Sequence, residues 1–394
     1  MVLLTSLLIA CTPIAPSTPS ATPEATPAPG STPSIPERPG SFSDYPPAIA
    51  QYLDGHPDDA AGLRALLFSW GAITVELGGT WVEDSDGDGE KEILVGYVEP
   101  PVQDPFSSLG EFLILDRSAD RYQVVFQAST TPEHAGGVVG PGLLQVADMT
   151  GDGVPEVVFT SLSCGAHTCF KGFHVVGWDG SGYRDLTAEN LGGPFPQLTI
   201  ADRDEDGIQE LILHVGVIAS VGAGPQRGYT EIHRWDGSQF ILAESIFDPV
   251  ACQYFLVLDA NHALAEVNLE RAIELYGQAV AATEEGDQCF WWREGSLQEL
   301  PAFSRFRLVL AHLLQGDPDA AQARLEELEG EQPEDIYAQA GRLFWDRFTE
   351  SGDVAHACAA VNRFAEDHPA TWEILAEWGY ANPSFTAREV CPFV

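Results

Sequence analysis

One short acidic pattern occurs three times in the middle of this 394-residue chain, and it constrains the fold more than any other feature. Each copy carries oxygen-bearing side chains at its first, third, fifth and ninth positions and a glycine at its sixth. The copies begin at Asp84, Asp148 and Asp202, and each runs directly into an apolar stretch. Because glycine permits the backbone of a sharp turn, each copy predicts a tight loop followed by a β-strand.

Carboxylates that alternate with glycines in such a loop suit a bound calcium ion. Calcium is a hard cation that takes roughly six to eight oxygen ligands, and a tight loop lets several carboxylates converge on one ion. Asp-Gly clusters also occur as simple solvated turns, but three copies in one register favour calcium sites. The copies differ from EF-hand loops, because their closing carboxylate stands at position nine and strand-like residues follow it.

The pattern resembles the FG-GAP/VCBS repeat, the calcium loop of integrin-type β-propeller blades. In that family the side chains at positions one, three, five and nine bind the ion, together with the carbonyl at position seven. The resemblance implies three calcium sites with the ligands Asp84, Asp86, Asp88, Glu90 and Glu92; Asp148, Thr150, Asp152, Val154 and Glu156; and Asp202, Asp204, Asp206, Ile208 and Glu210. The neutral Thr150 predicts that the second site is the weakest, since it offers fewer charges.

A second turn signal follows each loop, about thirty residues after the loop begins. It is centred on Asp116, Asp179 and Asp236, and Asp-Gly between alternating apolar runs is a hairpin signal. We therefore expect propeller-like four-stranded antiparallel blades, three of which are recognised. The blades span roughly 73–128, 141–188 and 196–246. Closed propellers usually have at least four blades, so closure would need helices, a degenerate blade or a partner, and the sequence does not choose among them.

The chain opens with a short apolar run that ends Leu8-Ile9-Ala10-Cys11. Its roughly ten residues are too few to span a bilayer and suit the core of a signal peptide. The run resembles the lipobox of bacterial lipoproteins, in which the cysteine is acylated, so the resemblance implies lipidation at Cys11. No basic residue precedes Arg38, which we interpret as a start codon assigned too late. The alternative is a disordered N-terminus with a chance cysteine.

Residues 12–40 contain nine prolines among Thr, Ser and Ala. Such a composition cannot bury a core, so it predicts an extended, solvated stalk. No later segment reaches the roughly 18 uninterrupted apolar residues of a transmembrane helix. We therefore expect an extracytoplasmic protein, anchored to the cell membrane or cell surface by the lipid on Cys11.

Six cysteines remain besides Cys11, and an even number in an exported chain favours disulfides. Sequence alone allows many connectivities, and proximity within the expected units favours the pairs Cys164–Cys169, Cys252–Cys289 and Cys358–Cys391. The alternative for the first pair is a zinc site. Its four ligands would be Cys164, His167, Cys169 and His174.

Helical periodicity replaces the strand signals after about residue 250, and apolar residues recur at helical spacing between Leu264 and Val280. Later helices are expected at 298–315, 318–329, 335–350, 354–367 and 371–379. The regular alternation of helices and Gly-Asp turns resembles TPR-type helix pairs, with an irregular helical bundle as the alternative. A shorter helical piece, about 46–70, precedes the first blade.

These segments predict a multidomain chain that combines β and α structure. The expected parts are a lipoprotein signal peptide (1–11), a disordered linker (12–40), a short helical segment (41–72), FG-GAP/VCBS-like β repeats (73–248) and an α-helical domain (249–394).

The 59 acidic and 19 basic residues give a formal net charge of −40. Nucleic-acid binding depends on basic residues that neutralise phosphates, so nucleic acid is not an expected partner. The chain has no Gly-x-Ser-x-Gly elbow, phosphate-binding glycine loop or His-Glu-x-x-His helix, and His174 and His233 fit a structural role beside the hairpin turns. We therefore expect a calcium-stabilised scaffold, not an enzyme, that binds a protein or a glycan. The alternative is an extracytoplasmic hydrolase with an unrecognised active site between the β and helical domains.

Overall fold

The structure is a computed structural model. It describes residues 36–75, 77–100, 109–129, 141–165, 167–188, 190–249, 252–283 and 296–393. The signal peptide, Cys11, most of the linker and Cys289 lie outside the described residues. By its internal contacts the chain divides into Met1–Arg38 and Pro39–Val394, and the elements described below belong to the second unit.

Two short helices begin this unit, α1 (Tyr45–Gly55) and α2 (Ala60–Trp70). The sequence predicts one helical piece over 46–70, and the structure interrupts it. Asp58 takes a positive φ of 62°, and the carboxylate of Asp59 accepts the backbone N–H of Gly62 at 2.8 Å. An aspartate that caps a helix N-terminus satisfies a backbone donor left free by the helix, so Asp59 starts a second helix.

Thirteen strands in three antiparallel sheets follow in the described part of the chain. The first sheet contains β1 (Gly79–Glu83), β2 (Glu92–Val98), β3 (Gly110–Ser118) and β4 (Arg121–Ser129). The second contains β5 (Gly142–Ala147), β6 (Glu156–Cys164), β7 (Cys169–Trp178), β8 (Tyr183–Asp185) and β9 (Leu191–Pro194), and the third contains β10 (Gln197–Ala201), β11 (Glu210–Val215), β12 (Tyr229–Trp235) and β13 (Phe240–Phe247). Neighbouring strands follow the chain order in each sheet, except that β9 pairs with β7.

These sheets confirm the predicted mixture of four-stranded antiparallel units and helices, with one strand more in the second sheet. Among the described strands, no sheet closes on itself. The hairpin turns at Asp179 and Asp236 lie between strands as predicted. The prediction at Asp116 is wrong, because Asp116 lies within β3 and the turn falls at Ala119 and Asp120. Both residues have positive φ, 50° and 63°, as in the mirror-image turns that match strand twist.

The sheets are layered face to face, and this layering forms most of the β core. One face of the first sheet, including Val95, packs against α1 and α2. The other face packs against the second sheet, where the rings of Phe112 and Phe159 stack at 4.2 Å. The far face of the second sheet, including Val158, packs against Leu211 and its neighbours in the third. Strand β2 is buried along its whole length because both of its faces are covered.

The helical region contains α3 (Gln253–Ala265), α4 (Leu269–Ala281), α5 (Ser296–Gln315), α6 (Pro318–Glu331), α7 (Ile336–Ser351), α8 (Val354–Asp367) and α9 (Ala370–Ala376). These helices share one hydrophobic core, and α6, α7 and α8 lie close to their predicted bounds. The last α-helix ends at Ala376, where Glu377 leaves the helical conformation, and so it is shorter than the predicted 371–379. Among the described helices, none combines the length and the apolar character that crossing a bilayer requires.

Two of the three predicted disulfides are formed, Cys164–Cys169 and Cys358–Cys391. The first pair corrects the zinc alternative, because bonded cysteines cannot supply thiolate ligands. The second bridge joins the C-terminal segment to α8. The side-chain amide of Asn362, also on α8, adds hydrogen bonds to the carbonyl and the N–H of Cys391, at 2.9 and 3.1 Å. Cys252 is disulfide-bonded, and its predicted pairing with Cys289 stays a prediction.

Candidate metal centres and a cleft

Each acidic loop joins the first two strands of its sheet. Glu92, Glu156 and Glu210, which occupy position nine of the three loops, are the first residues of β2, β6 and β11. Position one directly follows β1, β5 or β10. An antiparallel strand pair therefore clamps both ends of each loop, which brings the carboxylates at positions one and nine to the same end of the sheet.

The position-one carboxylate shapes each loop by accepting backbone N–H groups. Asp84 accepts from Gly87 at 2.8 Å and from Gly89 at 3.2 Å. Asp148 makes the same two bonds in the second loop, at 2.7 and 3.0 Å. In the third loop Asp202 accepts from the residues at positions five and six, at 3.2 and 3.0 Å. The first two loops therefore share one turn around the position-one carboxylate, whereas in the third loop the position-five N–H replaces the position-four N–H.

The position-nine carboxylate closes each loop from the other end. Glu92, Glu156 and Glu210 are only 1%, 3% and 5% exposed. Each accepts the backbone N–H of the position-two residue, at 2.6, 2.6 and 2.8 Å. In each loop the position-five carboxylate also accepts the position-seven N–H at 2.8 Å. Three separate stretches of sequence thus adopt the same hydrogen-bonded arrangement.

The first loop brings three carboxylates together, one of them buried. Asp84, Asp86 and Glu92 can each place one oxygen within 4.8 Å of the others. Burial raises the pKa of Glu92, and the negative charges of Asp86 and Asp116 raise it further, although hydrogen bonds from Ser85 oppose the shift. Burial also raises the pKa of Asp86. Convergent carboxylates with raised pKa values fit a hard divalent cation, because its positive charge would lower the pKa values of Glu92 and Asp86 again.

The third loop brings together a different set, Asp202, Asp204 and Asp206, whose carboxylate oxygens also lie within 4.8 Å of one another. These three side chains are exposed. Glu210 lies outside this cluster, and one of its oxygens is 3.9 Å from Nε of Arg234. The third loop therefore offers a more open donor set than the first.

The second loop forms no cluster of three carboxylates among the described residues. Its Thr150 hydroxyl donates to the other oxygen of Glu156 at 3.1 Å, so position three holds the position-nine carboxylate in place. Burial raises the pKa of Glu156, and the charges of Asp152 and Asp148 add to the shift. This arrangement agrees with the prediction of a weaker second site, which stays a prediction.

Several predicted ligands do not belong to either of the two carboxylate clusters found among the described residues. In the first loop they are Asp88 and Glu90, in the second the whole set Asp148, Thr150, Asp152, Val154 and Glu156, and in the third Ile208 and Glu210. Position seven was predicted to act through its carbonyl and position five through its carboxylate. In each loop one oxygen of the position-five carboxylate already accepts a backbone N–H, which leaves the other oxygen for an ion.

Neighbouring loops also contact one another. A Cβ atom added at Gly151 would lie 3.4 Å from the carbonyl oxygen of Gly207 in the third loop. The N–H of Gln209 donates to the carbonyl of Met149 at 2.9 Å, which joins the same two loops. In the third loop position four is Glu205, which is exposed and takes a φ of 61°.

A cleft of about 590 Å³ lies between the third sheet and α3. Arg227, just before β12, donates to the carboxylate of Asp259 on α3 through both terminal nitrogens, one of them at 2.9 Å. The guanidinium carbon also lies 4.1 Å from the ring centre of Phe247 and 5.0 Å from that of Phe255. No sequence pattern indicates this site, because Arg227 and Asp259 are 32 residues apart and belong to no motif.

A serine–histidine pair on the second sheet was also missed. The hydroxyl of Ser161 lies 3.0 Å from Nε2 of His174, whose ring stacks on Phe159 at 4.7 Å. Burial lowers the pKa of His174, and the charge of Asp185 opposes this shift. His233 in the third sheet is buried and lies 3.2 Å from Glu231. It pairs with Leu211, the second residue of β11, whereas His174 pairs with Phe159, the fourth residue of β6, so the two histidines do not occupy matching places.

No protein-family model matches the chain, and no curated protein matches it significantly. The resemblances of the loops and of the lipobox therefore stay predictions.

Proposed function

We propose that this protein is a membrane-anchored extracytoplasmic lipoprotein that serves as a binding scaffold for a protein or a glycan. Its propeller-like FG-GAP/VCBS repeats would bind calcium as a structural ion, and its helical region would be TPR-like. One observation carries the proposal: each of the three acidic loops is closed by a buried position-nine carboxylate that accepts the position-two N–H. In the first loop this carboxylate, Glu92, lies with Asp84 and Asp86. A buried carboxylate is costly unless it is paired or binds a metal, so a calcium ion would stabilise that cluster.

The donor sets indicate which residues would hold calcium. Asp84, Asp86 and Glu92 supply the first site, and Asp202, Asp204 and Asp206 supply the third. All six are oxygen donors, which calcium prefers over nitrogen or sulfur. The ion would neutralise charges that otherwise repel one another and would fix the turn between two strands, so we assign it a structural role.

Two features support the extracytoplasmic location. The lipobox-like sequence ending at Cys11 and the proline-rich stretch after it are typical of an anchored, exported protein. The disulfides Cys164–Cys169 and Cys358–Cys391 belong to a compartment that is oxidising. Extracellular calcium is about millimolar, which suffices to fill even weak sites of this kind.

The decisive experiment is thermal unfolding of a Cys11→Ser variant, which stays in aqueous solution, with calcium, with magnesium and with EDTA. A ligand present at about 100 times its Kd stabilises the native state by roughly 2.7 kcal/mol per site, so calcium should raise Tm clearly. Magnesium should rescue poorly, because it prefers a stricter octahedral geometry. Equal Tm values in calcium and EDTA would refute the structural role of calcium.

The hydrolase alternative has limited support. The cleft lies at the predicted junction of the β and helical regions, but Asp259 is the single carboxylate residue among its described lining residues, whereas glycoside hydrolysis ordinarily uses a pair. Ser161 and His174 are within hydrogen-bond distance, as a serine nucleophile and its base must be. Covalent labelling of Ser161 by a fluorophosphonate, lost in His174→Ala, would favour this alternative over the scaffold.

A further inference from the structure

We propose that the cleft between the third sheet and α3 binds a neutral saccharide, an assignment that rests on the proposed scaffold function and names its ligand class. Ligand sites for small molecules are typically concave, largely apolar and about 300–1,000 Å³ in volume, with a few convergent polar groups. The cleft has about 590 Å³ and combines aromatic and aliphatic walls with the Arg227–Asp259 pair.

The polar groups of the cleft suit hydroxyl groups. A guanidinium has five N–H donors, and a carboxylate accepts through several lone pairs. Within the described part of the chain, Arg227 gives two of its donors to Asp259. The side chains of Arg227 and Asp259 are 12% and 34% exposed, so spare donors and spare acceptors stand side by side at the wall of the cleft. Adjacent sugar hydroxyls, each both donor and acceptor, match such a pair.

The apolar groups of the cleft suit the C–H face of a sugar ring. Phe247 is 54% exposed although it lines the cleft, and Leu258 and Pro383 line it as well. An exposed aromatic ring gains free energy when an apolar surface covers it. A saccharide presents an apolar face and a polar edge together, as the two kinds of wall in this cleft require.

The cleft is preformed, which lowers the entropy lost on binding. The Gln226 side-chain amide bonds both the N–H and the carbonyl of Ile218, at 2.9 and 3.0 Å. Asn382 donates to the carbonyls of Trp378 and Ala223 at 2.8 and 3.2 Å. These bonds fix the two loops that flank the cleft.

Electrostatics favour a neutral sugar over an acidic one. Asp259 already neutralises Arg227, so an anionic sugar would meet the carboxylate of Asp259 without gaining an unpaired cation. The whole chain carries a formal net charge of −40, which repels anions over a longer range.

The test is saturation-transfer NMR on the full chain carrying Cys11→Ser, in millimolar calcium. The probes are maltose, cellobiose, lactose and N,N′-diacetylchitobiose, with a glucuronic-acid disaccharide as the acidic member. We expect at least one neutral disaccharide to bind. Phe247→Ala and Asp259→Asn should each weaken that binding by about tenfold or more, since each removes a direct contact. Binding should persist in Phe68→Ala, a matched control at a residue 58% exposed on α2.

Three outcomes would overturn the proposal: no neutral disaccharide binds, binding is unchanged in both cleft variants, or the acidic disaccharide binds most tightly. The Tm of each variant shows whether it is folded. If Asp259→Asn fails to fold, the binding measured for Phe247→Ala, a change at an exposed residue, tests the proposal by itself. The calcium dependence of Tm, measured on the same samples, tests the proposed calcium scaffold separately. If calcium raises Tm but no sugar binds, the saccharide site is refuted and the scaffold is not.

Discussion

The first and third acidic loops have the same sequence pattern and different surroundings. Both are closed by a buried position-nine carboxylate, Glu92 in one and Glu210 in the other. At position four the first loop has Gly87, where an added Cβ would lie 3.5 Å from Pro155 in the second loop. The third loop has Glu205, which is exposed and is followed by no further loop in the described stack.

This difference separates two roles of position four. A Cβ there would contact the next loop in the first two units, at 3.5 Å for Gly87 and 3.4 Å for Gly151, whereas Glu205 of the third loop is exposed. Glu205 nevertheless keeps a positive φ of 61°, which costs a residue other than glycine about 1–2 kcal/mol. The carboxylate of Asp202 accepts the N–H groups of positions five and six, so the third loop keeps its turn without a glycine at position four. In the first two loops glycine there provides both the positive φ and the close approach to the next loop.

The largest expected effect is an opposite response of the calcium-bound and metal-free protein to pH. Without calcium, the raised pKa values of Glu92 and Asp86 mean that the native state holds protons more tightly than the unfolded state. This tighter proton binding stabilises the metal-free native state. The stabilisation is fully present below the ordinary carboxyl pKa and is lost as pH rises through the raised pKa values. Calcium needs deprotonated ligands, so the difference in Tm between calcium and EDTA should grow from about pH 4.5 to pH 7. A difference in Tm that is constant with pH would contradict this.

A comparison of Glu92→Gln with Glu210→Gln is the next test. In calcium, Glu92→Gln should lower the free energy of unfolding by about 2 kcal/mol, because it weakens a site formed by three carboxylates. In EDTA the same change should be neutral or stabilising, because it removes a buried charge that repels Asp86. Glu210 lies outside the cluster of the third loop and near Arg234. Glu210→Gln should therefore destabilise mildly, and to the same extent in both conditions. Urea unfolding with and without calcium measures all four values.

Equal calcium dependence in the two variants would mean that both position-nine carboxylates bind the ion alike. The first and third loops would then use their position-nine carboxylates in the same way.

The parts of the fold that sequence predicted are those with local signals. The loop at Asp84 and the turns at Asp179 and Asp236 are specified by residues a few positions apart, so pattern and strand order followed from them. The turn predicted at Asp116 shows the limit of such local signals, because the actual turn residues, Ala119 and Asp120, are not glycines. Positive φ at such residues is rare, and sequence reasoning had no ground to expect it.

The parts that could not be predicted depend on distant residues. Strand β9 joins the second sheet only because the chain returns to β7. The cleft exists because Arg227 meets Asp259 across two elements of different type. The stacking of Phe112 on Phe159 likewise joins two sheets. None of these contacts leaves a periodic pattern in the sequence, so a structure was needed to find them.

A smaller effect concerns clearance between loops. Gly151→Ala should destabilise by about 1–2 kcal/mol, because Gly151 has a φ of 75° and alanine is strained there. The new Cβ would also lie 3.4 Å from the carbonyl oxygen of Gly207. Gly180→Ala is the matched control, since Gly180 has a φ of 89° and a Cβ there would meet nothing within 4 Å. Chemical denaturation should show a larger loss for Gly151→Ala, and equal losses would remove the argument for contact between the loops.

The smallest expected effect is a gain in stability from Glu205→Gly. Glycine relieves the strain of the positive φ at Glu205 but also makes the unfolded chain more flexible, so the net gain should be about 0.5 kcal/mol. Removing one negative charge beside Asp204 and Asp206 should favour the metal-free state more than the calcium-bound state. Calcium titration followed by unfolding should therefore show a gain in EDTA that shrinks in calcium. A loss of stability in both conditions would mean that the Glu205 side chain makes a stabilising contact, and position four would then matter for more than clearance.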